Sequence, residues 1–270
     1  MFVTRLISGV ILLAIMICTI CVGGPLLFFF LLAISLIGMF ELYRAAGVRK
    51  DSENLLTAIS YAGAAAFYAL VWLGTKDYYL AGVSAVMIAL LFVYVFTFPK
   101  YHADQVMTAF FGIVYVAVNL SFIYQTRRLP GGEFTVWLIF ICAWGCDTMA
   151  YVAGRLFGKR KMAPVLSPKK TVEGAVGGVI GAAVIGAIYA AVVRIFTHAG
   201  ISMIFIYAMI SAVGALVSMV GDLAASAIKR NHEIKDYGKL IPGHGGILDR
   251  FDSVIITAPI IYLLAVLTSI

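Results

Sequence analysis

Nine apolar stretches, each close to the length that crosses a lipid bilayer, follow one another along this chain of 270 residues. A bilayer core about 30 Å thick needs roughly 20 apolar residues of helix. The stretches lie at about 6–22, 25–43, 55–73, 78–98, 107–125, 134–153, 172–196, 202–222 and 253–270. Because lipid offers no partner to backbone polar groups, such stretches form helices. The sequence therefore predicts an all-α fold, a polytopic integral membrane helical bundle with about nine transmembrane helices.

Composition agrees with a membrane protein and excludes a large water-soluble domain. Hydrophobic residues make up 63% of the chain and charged residues only 12%, whereas about a quarter of a soluble domain is charged. The net charge of +7 does not indicate nucleic acid, because Lys and Arg of membrane proteins gather in cytoplasmic loops. The four cysteines are interpreted as packing residues. Glu41, Tyr43 and Arg44, which end the second stretch, are interpreted as an interface anchor.

The distribution of basic residues predicts the orientation in the membrane. With the N-terminus in the cytoplasm, sixteen of the 20 Lys and Arg residues fall on the cytoplasmic side, and only Lys76, Arg127, Arg128 and Arg194 fall on the other. This is a strong positive-inside bias. We therefore expect a multi-pass protein of the inner (plasma) membrane, with its N-terminus in the cytoplasm, its C-terminus outside and any site formed by residues 154–171 and 223–252 facing the cytoplasm.

Polar residues without a topological explanation are concentrated in the second half of the chain. Residues 1–133 are expected to form N-terminal transmembrane helices, in about five spans. Residues 134–270 are expected to form a C-terminal transmembrane catalytic region with cytoplasmic loops 154–171 and 223–252. Glycines between positions 174 and 181 predict close helix packing, because small residues let membrane helices approach.

The first polar group begins with Asp147, which lies inside the sixth stretch. An acid at roughly 10 Å depth costs several kcal/mol unless it is paired or lines a wet cavity. It is either an interhelical hydrogen-bond anchor or part of a polar cavity, where it helps to bind a metal ion or positions a basic partner. Further on, Ser167 or Thr171 can cap a predicted helix whose N-terminus, beside Lys169 and Lys170, suits a phosphate. The alternative for these lysines is the positive-inside rule alone.

The second polar group lies between residues 222 and 253. Asp222, Ser226 and Lys229 are spaced to share one helix face. Three glycines follow within a short loop, where the backbone could approach a phosphate closely. Asp249 and Asp252 are three residues apart, which puts both carboxylates on one face at the mouth of a helix. Mg²⁺ is usually held by carboxylates together with phosphate oxygens. Each acid taken singly could instead form a salt bridge at the membrane interface.

Together these residues resemble the phosphatidate cytidylyltransferases. The stretch from Ser226 to Asp252 reads SAIKRNHEIKDYGKLIPGHGGILDRFD and is similar to the signature of that family. The block from Asp147 to Gly174 resembles their second common region. The resemblance implies a nucleotidyltransferase that converts CTP and phosphatidic acid into CDP-diacylglycerol and pyrophosphate with Mg²⁺. The partners expected are thus CTP, the membrane lipid phosphatidic acid and the membrane itself, without nucleic acid, and a homodimer stays open.

Site residues are predicted on this basis. Catalytic roles are assigned to Asp222, Lys229, Asp249 and Arg250. Substrate-binding roles are assigned to Ser167, Lys169, Lys170, Thr171, Ser226, Arg230, Lys235, Gly243, His244, Gly245 and Gly246. Mg²⁺ ligands are expected among Asp147, Asp222, Asp249 and Asp252. For His244, a proton-transfer role and a hydrogen-bonding role are left equal.

Two other functions are weighed against this one. A CTP-dependent kinase of a polyprenol or similar lipid alcohol would use a related membrane scaffold. The long signature from Ser226 to Asp252 favours the cytidylyltransferase. A transporter for a phosphorylated solute would place ionisable residues near the midplane in both halves of the chain. Here the polar groups lie at one predicted face and in the second half only.

Overall fold

The computed structural model describes residues 2–48, 54–241, 243 and 245–268, and most of them are helical. In chain order the α-helices are α1 (Phe2–Val22), α2 (Gly24–Ala45), α3 (Leu55–Leu73), α4 (Tyr79–Phe96), α5 (Ala103–Gly112), α6 (Asn119–Arg127), α7 (Gly132–Thr135), α8 (Trp137–Phe140), α9 (Cys146–Phe157), α10 (Val172–Thr197), α11 (Ser202–Asn231) and α12 (Leu248–Thr268). Among the described residues, eight helical stretches are long and apolar enough to cross a membrane, and Ile7–Val22 forms a shorter apolar helix. The prediction of an all-α polytopic membrane protein is confirmed.

Two of the spans are less regular than the sequence predicts. The π-helical segment Ile113–Val118 joins α5 to α6, and a second one, Ile141–Gly145, joins α8 to α9. A π-turn holds more residues than an α-turn, so it changes which face the following residues present. The second segment ends directly before Cys146 and Asp147, and it therefore sets the face on which Asp147 lies.

A short β-hairpin replaces part of the predicted loop before α10. Strand β1 (Lys161–Ala163) pairs antiparallel with β2 (Ser167–Thr171). Thr171, whose backbone is extended, is the N-cap of α10 and accepts a hydrogen bond from the Gly174 N–H at 3.1 Å. Of the two capping residues that the sequence offered, the structure thus uses Thr171. Because strand and helix share this residue, the direction of β2 is tied to the start of α10.

The chain divides into two compact units. Unit 1 holds residues 1–124 and 232–251, and unit 2 holds residues 125–231 and 252–270. The sequence pattern did not indicate that residues 232–251 group with the N-terminal helices. The predicted functional division at residue 133 stays a prediction.

In unit 1, buried hydroxyl groups tie α2 to its neighbours. The Ser35 and Tyr68 hydroxyls lie 2.8 Å apart, and the Tyr43 hydroxyl donates to the Ala109 carbonyl at 2.6 Å. All four residues are buried. Since a buried polar group without a partner is costly, these bonds help to specify how the helices of unit 1 pack.

In unit 2, α9 and α10 pack closely along a row of glycines. A Cβ added at Gly178 would meet Cys146 Sγ and Ala150 Cβ at 3.0 Å. A Cβ added at Gly181 would lie 2.5 Å from Met149 Cβ. The prediction of tight helix packing around these glycines is confirmed, and this packing forms one wall of the cavity described next.

Candidate active site

Unit 2 contains a cavity of about 420 Å³ among α9, the β-hairpin, α10 and α11. Its lining combines acidic, basic and hydroxyl side chains with small apolar ones. It is formed by Asp147, Ala150, Tyr151, Gly154, Arg155, Met162, Ser167, Lys169, Lys170, Thr171, Gly174, Ala175, Met219 and Asp222. The structure therefore brings Asp222 of the second predicted polar group together with the polar residues of the first.

An ion pair between Lys170 and Asp222 crosses this cavity. The Lys170 ammonium donates to Asp222 Oδ2, and the two side chains are 26% and 22% exposed. Lys170 lies on β2 and Asp222 on α11, so the hairpin carries the ammonium to the helix. On α9, the Arg155 guanidinium donates to the Tyr151 hydroxyl at 3.2 Å. Lysine and arginine groups fixed in this way suit the binding of phosphate oxygens.

A second ion pair joins Lys229 of α11 to Asp252 of α12. Lys229 Nζ lies 3.9 Å from Asp252 Oδ2, and the side chains are only 13% and 12% exposed. The helices come close here because of Gly221, where a Cβ would lie 3.1 Å from Ile256 Cβ and 3.3 Å from the Asp252 carbonyl oxygen. The predicted helical spacing of Asp222 and Lys229 is confirmed, since α11 runs unbroken to Asn231.

Three carboxylates and two ammonium groups thus interact in this part of unit 2. The negative charges of Asp222 and, more weakly, Asp147 oppose the charge of Asp252, whereas Lys229 balances it. Within the described part of the chain, three or more His, Cys, Asp or Glu residues never converge closely enough to enclose a metal ion. Carboxylate oxygens are nevertheless the donors that Mg²⁺ prefers, and Mg²⁺ is usually held by one or two carboxylates together with phosphates and water. The donor set fits that kind of site and does not fit a complete protein cage.

In unit 1, Asp249 organises the glycine-rich segment that precedes α12. Its Oδ2 accepts hydrogen bonds from the N–H groups of Tyr237 at 2.8 Å and Gly246 at 2.9 Å. Gly245 has a φ of +88°, and a Cβ there would lie 2.8 Å from the same Oδ2. The segment therefore closes against the carboxylate at a position where a side chain would not fit. The metal and catalytic roles of Asp249 stay predictions.

The other predicted residues are found in different settings. Ser226 is half-buried on α11, and Arg250 is half-buried in the first turn of α12. Arg230, Lys235 and Gly243 are exposed. His244 lies outside the described residues. Gly246 was predicted to lie where the backbone approaches a phosphate, but its N–H group donates a hydrogen bond to Asp249.

Sequence reasoning missed the position of Glu41. This residue of α2 is only 3% exposed, and its carboxylate accepts hydrogen bonds from the N–H groups of Ile247 at 3.1 Å and Leu248 at 2.8 Å. Its interpretation as an interface anchor is wrong. The available signal was an acidic residue between Phe40 and Leu42 inside an apolar helix, where a carboxylate needs a partner.

The fold and the site define a polytopic helical membrane protein whose cavity is lined by basic and acidic side chains. The chain is a member of the cytidylyltransferase family, whose sequence pattern matches residues 3–268, and it is therefore an enzyme of the nucleotidyltransferase type.

Relatives of this chain carry the name phosphatidate cytidylyltransferase, among them three bacterial proteins. The protein of Staphylococcus saprophyticus is 39% identical over 154 residues, which is 57% of this chain and 56% of that protein. The protein of Staphylococcus haemolyticus is 29% identical over 97% of this chain and 98% of its own length. The protein of Haemophilus influenzae is 32% identical over 94% and 95%, respectively. Two of the three alignments thus extend over almost the whole of both proteins.

Proposed function

We propose that this chain is a phosphatidate cytidylyltransferase, which transfers CMP from CTP to phosphatidic acid and releases CDP-diacylglycerol and pyrophosphate. The observation that carries the proposal is the cavity of unit 2, where Lys169, Lys170 and Arg155 meet Asp147 and Asp222. Its lining carries charges that suit phosphates, and the long apolar helices place the protein in the bilayer, where a lipid substrate would be. The relatives that align over nearly the whole chain are named phosphatidate cytidylyltransferase, which supports the same reaction.

The reaction forms one bond and breaks one. A phosphate oxygen of phosphatidic acid attacks the α-phosphorus of CTP, and the bond from that phosphorus to the oxygen bridging to the β-phosphate breaks. The electron pair stays with pyrophosphate. Such a transfer needs alignment and neutralisation of charge more than covalent participation by the protein.

The basic side chains would supply the positive charge for this step. Lys169 and Lys170 would bind phosphate oxygens from β2, and Arg155 from α9. Asp222 would orient Lys170, since the two groups are already paired. Asp252 would orient Lys229 in the same way. Held ammonium groups lose less entropy when the phosphates bind, so these pairs would lower the cost of binding.

Magnesium is part of the proposal. Asp222 with Asp147 or Asp252 offers the oxygen donors, and Asp249 is the further predicted ligand. When bound, the ion neutralises negative charge on the triphosphate. The described residues supply too few ligands for a cage, which agrees with an ion that is completed by substrate oxygens.

The site is proposed to face the cytoplasm, where CTP is available. The support is the basic-residue count, with sixteen of the 20 Lys and Arg residues on the predicted cytoplasmic side. The same count supports an inner-membrane protein with its N-terminus inside and its C-terminus outside. Nucleic acid has no part in this proposal, and a homodimer stays a prediction.

The test is transfer of label from α-³²P-CTP to phosphatidic acid by the purified protein in detergent with Mg²⁺. We expect label in the lipid fraction, release of pyrophosphate and loss of both in Asp222→Asn, which removes the charge that holds Lys170. Asp104→Asn is the matched control, because Asp104 is exposed in the first turn of α5. It should retain the wild-type rate.

Other outcomes would overturn parts of the proposal. Transfer from γ-labelled CTP to a polyprenol, without transfer of the α-label, would identify a lipid kinase instead. In sealed vesicles, CTP added outside should be used by inside-out vesicles and not by right-side-out ones. The reverse preference would refute the cytoplasmic placement.

A further inference from the structure

The buried carboxylate of Glu41 lies against the glycine-rich segment and contacts residues on both sides of it. It is only 3% exposed. It accepts hydrogen bonds from the N–H groups of Ile247 and Leu248 at 3.1 and 2.8 Å. Both residues are more than 200 positions away from Glu41 in the chain. These N–H groups lie at the start of α12, where helical N–H groups have no partner within the helix. A negative charge is favoured there by the helix dipole.

The segment is also shaped sterically around this carboxylate. A Cβ added at Gly238 or at Gly246 would collide with the carboxylate of Glu41. The same Cβ at Gly238 would lie 2.9 Å from the Gly246 Cα. Two glycines of the family signature are therefore required so that the backbone can close over Glu41 from two sides.

Helix α2 holds the other end of the segment through Arg44. The Arg44 Nη2 donates to the Tyr237 carbonyl at 2.7 Å, while the Tyr237 N–H is donated to Asp249 Oδ2 at 2.8 Å. Tyr237 itself is only 2% exposed. Two charged side chains on successive turns of α2 thus fix the segment at Tyr237 and at Leu248.

Three consecutive N–H groups are consumed by carboxylates of the protein. Gly246 donates to Asp249, and Ile247 and Leu248 donate to Glu41. A phosphate cannot use these donors without displacing a carboxylate. The start of α12 is therefore an anion site that the chain fills with its own Glu41.

We infer that Glu41 is a positioning residue, which holds Tyr237, Gly238, residues 245–248 and Asp249 in the conformation that binds CTP. The inference rests on the proposed function. A segment with four glycines has large conformational freedom when it is released. The free energy needed to order it again would then oppose nucleotide binding. This weakens the binding of CTP and leaves the binding of the lipid substrate unaffected.

The test compares Glu41→Gln with wild type and with two further variants. The Gln amide keeps the size of the side chain but removes its charge and replaces one acceptor oxygen by a donor group, which faces a backbone N–H. Gly238→Ala perturbs the same contact from the opposite side. Ser35→Ala is the matched control, since Ser35 is a buried residue of α2 whose hydroxyl bonds Tyr68 and does not touch the segment.

The readouts are the KM values for CTP and phosphatidic acid, kcat, and hydrogen exchange of the amides at 245–248 in the full-length protein. For Glu41→Gln and Gly238→Ala we expect KM for CTP to rise about 10-fold or more, because the released segment must be ordered again when CTP binds. KM for phosphatidic acid should stay within about a factor of two, because the change in free energy falls on the nucleotide step. Exchange at Ile247 and Leu248 should accelerate in Glu41→Gln and in Gly238→Ala, and it should stay at the wild-type rate in Ser35→Ala. Ser35→Ala should change neither KM.

Partial unfolding would give a different result, because it reduces the number of active molecules and lowers kcat with both KM values unchanged. That pattern in Glu41→Gln would overturn the inference, as would wild-type exchange at Ile247 and Leu248. An inactive wild-type protein would refute the proposed function instead, and the exchange comparison would still decide whether Glu41 holds the segment.

Discussion

The contact between α9 and α10 gives a quantitative prediction for Gly174→Ala. Gly174 lines the cavity of unit 2, and a Cβ at this position would lie 2.8 Å from the Ala150 carbonyl oxygen and 3.2 Å from the Gly154 Cα. These are backbone atoms, which cannot rotate away. To restore an ordinary 3.4 Å contact with the carbonyl oxygen, α9 must move by about 0.6 Å relative to α10.

Two opposing effects determine the stability of this variant. Replacing Gly by Ala in a helix stabilises it by up to about 1 kcal/mol. Overpacking of a close contact costs about 1–3 kcal/mol. We expect the second effect to dominate, with a net loss of up to about 2 kcal/mol.

Gly145→Ala is the matched control. Its Cβ would meet only Ile185 Cδ1 at 3.6 Å and Ile141 Cγ2 at 3.8 Å, which are ordinary contacts with flexible side chains. This variant should gain the helical stabilisation without the collision. The two unfolding midpoints should then differ by roughly 3–10 °C, with Gly174→Ala the lower.

The assay is a heat challenge of the detergent-purified proteins, followed by size-exclusion chromatography of the folded fraction and by the transfer assay. Because the shift of α9 moves Asp147 and Tyr151, we expect the transfer rate of Gly174→Ala to fall about 10-fold at a temperature where it is folded. An unfolding midpoint of Gly174→Ala equal to or above that of Gly145→Ala would refute the steric argument.

Two further predictions concern the cap of α10 and the second ion pair. Thr171→Ala removes the acceptor of the Gly174 N–H and should lower the stability by about 1 kcal/mol. The unfolding midpoint in the heat challenge should then fall by about 2–4 °C. Thr171→Ser keeps the hydroxyl and should be nearly neutral. Lys229 and Asp252 lie 3.9 Å apart, and a double-mutant cycle with Lys229→Met and Asp252→Asn measures their interaction. We expect a coupling energy of about 1–3 kcal/mol, which is below the roughly 4 kcal/mol of two unscreened charges at an effective dielectric of 20. Additive losses in stability would show that the two charges do not interact.

The transmembrane helices could be predicted closely because their cause is local. Bilayer thickness fixes the length of an apolar run, and the observed helices α3 (Leu55–Leu73) and α10 (Val172–Thr197) end within one residue of the predicted bounds. The π-helical segments were missed, since a π-turn is stabilised by packing with neighbours and leaves no local pattern. The β-hairpin was missed for a related reason, because a strand containing Pro168 and two lysines has low intrinsic preference for β-structure.

The candidate site was predicted in its residue types and not in its pairings. Lys170 and Asp222 were both expected to bind ligands, and their ion pair spans 52 positions of the chain. Any of several lysines could have met Asp222 on the basis of charge alone. The Lys229–Asp252 pair was equally open, since it depends on the close approach of α11 and α12 at Gly221.

The sequence by itself determined the membrane architecture, the family and the chemical character of the site. These follow from apolar length and from motifs that are contiguous in the chain. Only the tertiary structure decided that Glu41 caps the start of α12 and that Lys170 pairs with Asp222. Hydrogen bonds and ion pairs of this kind join distant positions, and their partners are set by how helices and hairpin pack, which no local pattern specifies.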